Sequence, residues 1–267
     1  MKKFLALILA LLLVLSMAAC AEAEKEDTNA DADQADSIDD VVASVDIHAK
    51  SEGVMTYAEY AAAELDTEVV IEAFVQASQS WWADSMTVYA QDQDGAYFLY
   101  NMVCSEEDST KLVPGTKIKV TGYKAEWSGE VEIIDATFEI MEGTWIAEPM
   151  DATALLGTDE LIEHQNKLVS FKGMTVVAST DADGNEVPFM YGWDGSGQEG
   201  TDSDLYFNVS INDQTYTFVV EYYLSNETTE VYKAVQNLQI GDVVDLEGFL
   251  YWYDGANPHI ISVNVVG

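Results

Sequence analysis

The chain of 267 residues contains an internal repeat, and this repeat limits its fold more than any other sequence feature. Seven residues are matched, in the same order, by identical or similar residues 126 positions later. Gly115 and Gly241 form one such pair. The matched residues are Leu112 and Leu238, Gly115 and Gly241, Ile118 and Val244, Val120 and Leu246, Gly122 and Gly248, Tyr123 and Phe249, and Gly129 and Gly255. Self-similarity at a fixed spacing indicates like structural modules. We therefore expect two copies of one fold in tandem.

The first copy shows the pattern of a small barrel. Thr56 and Glu59 fit a capping box, and the alanine-rich segment that follows predicts a short helix to Leu65. Residues rich in Val, Ile and aromatic side chains predict five strands, at 68–76, 86–90, 96–102, 117–123 and 130–139. Asp94-Gly95 predicts a hairpin turn, and 105–111 is compatible with one helical turn. Five strands with a helix between the third and fourth is the order of an OB-fold.

The second copy predicts the same order with longer connections. Its strands are expected at 167–177, 204–211, 215–221, 242–250 and 259–266, with a lead-in helix at 153–164 and a fuller helix at 225–238. Gly173 matches Ala73 at an offset of 100, so this copy carries extra residues before its last two strands. The predicted fold class is all-β with short helices, as two tandem five-stranded OB-like barrels at 56–147 and 148–267.

The N-terminus predicts export. Lys2 and Lys3 precede an apolar run at 4–15, which is too short for a mature membrane helix, and small residues follow. Met17-Ala18-Ala19-Cys20 resembles a bacterial lipobox, with Met17 in place of the usual Leu. This implies a signal peptide at 1–19 and a diacylated Cys20, with palmitate-type chains holding the protein at the extracytoplasmic face of the cell membrane. A plain secretory signal cut near Ala19 is the alternative.

An acidic segment follows the predicted anchor. Residues 20–55 are dominated at first by Ala, Asp and Glu, and 21–46 contain no aromatic side chain. Such a composition offers little apolar surface to offset the entropy of chain ordering. The sequence therefore predicts a disordered acidic tether at 20–55.

The charge of the chain bears on its partners. The formal net charge is −37, and all 11 basic residues are lysines. Nucleic-acid binding relies on cationic side chains against phosphates, and arginine is the preferred group for phosphate recognition. We therefore expect no nucleic-acid partner and no adhesion to anionic lipid surfaces.

A resemblance to exported bacterial lipoproteins with tandem OB-like domains covers Thr56 to Val266. It is carried by Trp81-Trp82, by Tyr89 to Tyr100 with Asp92 and Asp94-Gly95, and by Gly115 to Gly129. These motifs specify the fold better than an activity. The resemblance implies a protein at the cell surface.

Aromatic residues are concentrated where OB-folds bind ligands, which is the face of strands two and three and the loops that join strands one to two and four to five. The candidate ligand-binding residues in the four corresponding loops are Trp81, Trp82, Trp127, Tyr191, Trp193, Tyr251, Trp252 and Tyr253. Exposed aromatic rings stack on sugar rings, peptides or bases. We expect a non-catalytic binding module for a neutral glycan, a peptide or a partner protein.

Two alternatives remain open for these aromatic residues. They could pack between the modules or against a partner subunit, which would make the chain a structural or assembly protein of the envelope. A divergent OB-type nucleic-acid binder is a lesser alternative. Exposure of the loop tryptophans separates a binding surface from internal packing.

The sequence predicts neither a cofactor nor a firm metal site. Asp181, Asp183 and Asn185 are spaced like the start of a calcium loop, but Glu186 stands where that motif needs glycine. A hairpin turn at Asp183-Gly184 explains the same residues, so they are only weak calcium candidates.

An enzyme is not expected either. His48, His164 and His259 are scattered, and no nucleophile-elbow, phosphate-loop or zinc motif occurs. Cys104 has no disulfide partner if Cys20 carries lipid, and its apolar neighbours predict a small buried side chain.

Overall fold

A computed structural model describes residues 46–267. The predicted signal peptide, Cys20 and the predicted tether up to residue 45 lie outside the described residues. The final part of the predicted tether, 46–55, lies against the first barrel. Lys50 donates to the carboxylate of Asp92, and the His48 ring packs against the rings of Phe74 and Trp145. Apolar and ionic contacts with the barrel therefore order this short segment, whose sequence lacks a strand or helix pattern.

The predicted capping box is confirmed. The Thr56 hydroxyl accepts the backbone N–H of Glu59, and the Glu59 carboxylate accepts the N–H of Thr56. Helix α1 (Tyr57–Ala62) follows and buries Tyr60 in the core. Side-chain acceptors satisfy N–H groups that the first turn of a helix leaves free, so the helix begins where the sequence predicts.

Barrel 1 is closed by five strands in the order β1-β2-β3-β5-β4. All pairs are antiparallel except β3 with β5, and a short helix α2 connects β3 to β4. This is the predicted OB order. The elements are β1 (Glu68–Ser78), β2 (Ser85–Gln91), β3 (Ala96–Val103), α2 (Glu106–Ser109), β4 (Thr116–Trp127) and β5 (Glu130–Thr144).

Barrel 2 repeats this order. Its five main strands close as β7-β11-β12-β14-β13, through a pairing of β11 with β7, and β12 runs parallel to β14. The prediction of two tandem five-stranded barrels is confirmed. The elements are β6 (Met150–Asp151), β7 (Leu168–Val177), β8 (Ser179–Thr180), β9 (Glu186–Val187), β10 (Met190–Tyr191), β11 (Leu205–Ile211), β12 (Gln214–Val220), α3 (Glu230–Gln236), β13 (Val243–Phe249) and β14 (His259–Val265).

The glycines of the repeat mark backbone positions that a side chain would disturb. Gly115 and Gly241 have φ of +92° and +100°, a region that side chains disfavour. A Cβ at Gly122 would lie 2.7 Å from Cγ2 of Ile133, and one at Gly248 would lie 2.3 Å from the His259 carbonyl. Register shifts occur next to both of these strand glycines. The repeat therefore preserves the bends of the barrel.

Three sequence predictions need correction. The lead-in helix at 153–164 is wrong, because the segment forms two short 3-10 turns, Thr153–Leu155 and Leu161–His164, around Gly157 at φ +79°. Helix α3 is shorter than predicted, since the Thr229 side chain caps its start. The loop expected between the strands at 117–123 and 130–139 is a two-residue turn, with both Ser128 and Gly129 at positive φ.

The two barrels pack through an aromatic contact. The Tyr89 ring on β2 stacks on Phe249 of β13 with 4.3 Å between centroids, and its hydroxyl is hydrogen-bonded to Nδ1 of His259 at 2.9 Å. The side chain of Gln91 accepts the N–H of Leu168 at 2.9 Å. Barrel 2 therefore covers much of the outer β2–β3 face of barrel 1. Among residues 46–267, every helix is too short or too polar to cross a bilayer.

Candidate binding groove

The corresponding face of barrel 2 is open. A cavity of about 850 Å³ lies over β11 and β12, between the long connection that precedes β11 and the β13–β14 turn. We call it the aromatic groove. Its lining residues are Trp193, Tyr206, Thr215, Tyr216, Thr217, Tyr251, Tyr253, Asp254, Gly255, Ala256, Asn257 and His259. It therefore occupies the place where OB-folds bind ligands.

Exposed rings and neutral polar groups share this groove. Trp193 is 77% exposed and Tyr253 is 53% exposed, so both present ring surface to solvent. Thr215, Thr217 and Asn257 offer uncharged hydrogen-bonding groups between the rings. Among the described residues that line the groove, the only carboxylate is Asp254 and none is lysine. The groove suits a ligand with apolar faces and neutral donors or acceptors.

A second cavity, of about 360 Å³, adjoins the groove at the junction of the barrels. It shares Tyr251 and His259 with the groove, and the rest of its wall comes from barrel 1. We call it the junction cage. Its lining residues are Phe98, Tyr100, Trp127, Glu132, Tyr251 and His259. Both barrels therefore contribute to one continuous aromatic surface.

The turns of the two barrels hold the cage in place. Asp254 donates its backbone N–H to the Ser128 carbonyl at 2.7 Å, which links the β13–β14 turn to the β4–β5 turn. The Trp252 N–H donates to the carboxylate of Glu130 at 2.9 Å. Glu130 is fully buried, and this burial raises its pKa to about 8. The junction is therefore built from direct contacts between the two turns.

His259 lines both the aromatic groove and the junction cage. Its ring stacks on Tyr251 with 4.3 Å between centroids, and burial lowers its pKa to about 3. A histidine with this pKa is uncharged at neutral pH. His259 therefore contributes a neutral ring surface to both cavities.

The structure places the predicted aromatic residues in two groups. Four of them line the groove or the cage: Trp127, Trp193, Tyr251 and Tyr253. The other four do not line either cavity: Trp81, Trp82, Tyr191 and Trp252. The predicted set thus includes both surface and packing residues.

The second group has other contacts. Trp81 donates its indole N–H to the Cys104 carbonyl at 2.8 Å, and the Tyr191 hydroxyl accepts from Gln236 at 2.9 Å. The Trp252 ring packs on Gly129, where a Cβ would come within 2.8 Å of it. Trp82 is 80% exposed, yet it lies outside both cavities.

Sequence reasoning missed the residues that lie on strands. Tyr206, Phe98, Tyr100 and Glu132 line the cavities from β11, β3 and β5. Their alternation along each strand could have marked outward-facing positions. It could not show which outer face the other barrel covers.

The weak calcium candidates form a hairpin turn. The Asp181 carboxylate accepts the N–H groups of Asp183 and Asn185 at 3.0 and 2.8 Å, and strands β8 and β9 pair on either side. Among residues 46–267, no group of three or more metal-ligating side chains is placed to hold an ion. Cys104 is buried, as its neighbours predict.

Comparisons with known proteins give a likeness of fold alone. No protein-family model and no curated protein matches the chain. The tetrameric p202 HIN2 structure is 13% identical over 76% of this chain and 96% of that chain, with a TM-score of 0.33. A murine DNA-binding protein bound to double-stranded DNA is 10% identical over 74% and 96%, with a TM-score of 0.36. The p202 HIN1 structure with 12-mer double-stranded DNA is 12% identical over 77% and 95%, with a TM-score of 0.34.

One sequence-based expectation is corrected here. We expected no nucleic-acid partner because the chain is strongly acidic, but two of these similar structures hold double-stranded DNA. Net charge describes the whole chain, whereas binding depends on the local surface. The net charge alone therefore does not exclude a nucleic-acid ligand.

Proposed function

We propose that the protein is a non-catalytic binding protein that holds a neutral carbohydrate in the aromatic groove. The observation that supports this proposal is the pairing of exposed rings, Trp193 and Tyr253, with neutral polar groups on the same concave surface. The proposal adds that Cys20 carries a lipid anchor, which places the groove at the extracytoplasmic face of the cell membrane.

Sugar chemistry matches the composition of the groove. Pyranose rings have apolar faces that stack on Trp and Tyr, and a polar periphery of hydroxyl groups. Those hydroxyls can bond to Asp254, Asn257 and the two threonines. The volume of about 850 Å³ lies within the usual range for small-ligand sites. A cationic group to neutralise a ligand phosphate is absent among the described lining residues.

The test is a screen of neutral glycans followed by calorimetry on the strongest binder. We expect Trp193→Ala and Tyr253→Ala each to weaken binding at least about tenfold, because each removes an exposed stacking surface. Trp82→Ala is the matched control, since it deletes an equally exposed tryptophan outside the groove. Unchanged affinity in both groove variants would contradict the proposal.

Nucleic acid is tested in the same assay. Single-stranded and double-stranded oligonucleotides are titrated at low salt, where electrostatic binding is strongest. Saturable binding that falls with added salt and is lost in Trp193→Ala would replace carbohydrate by nucleic acid as the ligand. Absence of such binding leaves the carbohydrate proposal in place.

The proposed anchor has a separate test. Cells that express the full chain are labelled with a fatty acid, and the membrane and soluble fractions are compared. Cys20→Ser should abolish labelling and move the protein to the soluble fraction. Persistent labelling of this variant would show that Cys20 is not the acylated residue.

A further inference from the structure

The junction cage has a different chemistry from the groove. Five rings and one carboxylate make up its lining, which contains no lysine among the described residues. Trp127 is 61% exposed and forms the accessible rim, whereas Phe98 and His259 are buried walls. The cage is therefore a small aromatic recess with a single acidic group.

Glu132 is that acidic group, and nothing in the described chain neutralises it. The residue is only 9% exposed, and its carboxylate forms no hydrogen bond or ion pair with residues 46–267. Burial raises its pKa, with no hydrogen bond acting in the other direction. A buried carboxylate is costly unless it is paired. Its position among the rings marks a place where a cation would be stabilised.

We propose that the junction cage binds an alkylated ammonium group, with the cation over the rings of Trp127, Tyr100 and Tyr251 and its charge balanced by Glu132. Aromatic cages attract quaternary and methylated ammonium groups through the negative ring faces. His259 presents a neutral ring and does not repel such a cation. The formal net charge of −37 favours the approach of a cation to the molecule.

The methylated form suits this cage better than a bare ammonium group. A primary ammonium is a strongly hydrated point charge with three donors. Five aromatic rings and only one carboxylate line the cage. A cation covered by methyl groups loses less hydration on binding and gains contact with the rings of Trp127, Tyr100 and Tyr251. A lining with more rings than hydrogen-bond acceptors therefore favours the methylated cation.

The experiment uses choline and its uncharged isostere 3,3-dimethylbutan-1-ol. Both are titrated into the protein while tryptophan fluorescence and heat are recorded. We expect choline to bind at least about tenfold more tightly than the isostere, because the two share a shape and differ in charge. Equal affinity for both would overturn the proposal.

Substitutions test whether choline binds in the junction cage. Glu132→Gln keeps the size of the side chain and should weaken choline binding at least about tenfold. Tyr100→Ala removes a half-exposed ring and should weaken it as well, which covers the case in which Glu132→Gln does not fold. Trp82→Ala should bind choline like the wild type. Unchanged binding in folded Glu132→Gln and in Tyr100→Ala would overturn the proposal.

The proposals for the groove and for the cage can be tested separately. Trp193 lines the groove and not the cage, so Trp193→Ala should lose carbohydrate and retain choline. Loss of choline binding in this variant would contradict a separate cage. Vesicles of phosphatidylcholine distinguish the source of the group when the Cys20→Ser variant is used, so that the proposed anchor cannot contribute: capture on vesicles assigns the group to a lipid headgroup, and binding of choline alone assigns it to a soluble compound.

Discussion

The two barrels use the same outer face in opposite ways. In barrel 1 this face carries Tyr89 and Phe98, and barrel 2 covers both. In barrel 2 it carries Tyr206 and Thr217, which line the open groove. In the duplicated fold, one copy of this face is therefore packed against the other barrel and the second copy is open. The comparison shows that the strand order, which both barrels share, does not determine what packs against the outer face.

A single repeat position shows how the faces differ. Tyr123 and Phe249 occupy equivalent places on β4 and β13, yet Tyr123 is exposed and Phe249 is buried against Tyr89. The backbone around them is alike, because Gly122 and Gly248 precede them at equivalent bends. The change in environment comes from the packing of the second barrel on the first.

The largest expected effect comes from breaking that packing. Phe249→Ala should lower the free energy of unfolding by about 3–5 kcal/mol, since it removes a buried aromatic ring. Tyr123→Ala is the matched control in barrel 1 and should cost about 0.5 kcal/mol or less, as expected at an exposed site. Urea denaturation measures both. Equal losses would mean that the two positions are not distinguished by the interface.

The second effect is a dependence of stability on pH at the junction. Burial raises the pKa of Glu130 to about 8, above its value in the unfolded chain, so the folded protein holds a proton that the unfolded chain releases. The contribution of protonated Glu130 to the free energy of unfolding is therefore full at low pH and is lost as the pH rises towards 8. Between pH 5 and pH 8 the loss is about 2–4 kcal/mol, at 1.36 kcal/mol per pKa unit.

Glu130→Gln tests this dependence, because an amide cannot ionise. The variant should be close to the wild type in stability at pH 5 and more stable at pH 8, as measured by denaturation across the range. Glu163→Gln changes an exposed carboxylate and serves as the control. Parallel pH profiles for wild type and Glu130→Gln would contradict the inferred burial of charge.

The third effect separates ligand binding from stability. Tyr206→Ala should weaken carbohydrate binding by about 1–2 kcal/mol and leave the interface intact, because Tyr206 lines the open groove. Tyr89→Ala, on the equivalent face of barrel 1, should chiefly reduce stability. Calorimetry and denaturation of both variants decide this. If both variants lost carbohydrate affinity and stability to the same extent, the two faces would not differ in role.

The smallest effect concerns the helix caps. Thr56 caps α1 in front of barrel 1, and Thr229 caps α3 within barrel 2. Each change to Ala should cost about 1 kcal/mol, the usual value for a lost N-cap. Denaturation of the two variants measures it. A much larger loss in one of them would show that its cap also supports the barrel beside it.

Much of the fold was predictable because its signals are local. The capping box starts α1, Asp94-Gly95 lies between β2 and β3, and the repeated glycines lie at bends of the strands. Such signals act between residues a few positions apart. The wrong lead-in helix at 153–164 shows the limit, because Gly157 takes a positive φ that the helical pattern does not reveal.

The candidate site was predictable only in part. Loop tryptophans identified Trp127 and Trp193, whereas Tyr206 and Glu132 were missed because they lie on strands. Trp81 resembled these residues in sequence but packs inward through its bond to Cys104. Exposure depends on what the rest of the chain places beside a residue, and the loop pattern alone does not contain that information.

The sequence by itself determined two copies of a five-stranded barrel, the cap of α1 and the repeated glycines, because these follow from the conformational preferences of neighbouring residues. Only the tertiary structure decided which outer face stays open and which walls form the cage. Tyr89 meets His259, 170 positions away, and Tyr251 joins Glu132 in one cavity. Contacts over such separations depend on how one barrel packs against the other, and this packing decides which aromatic surface remains open.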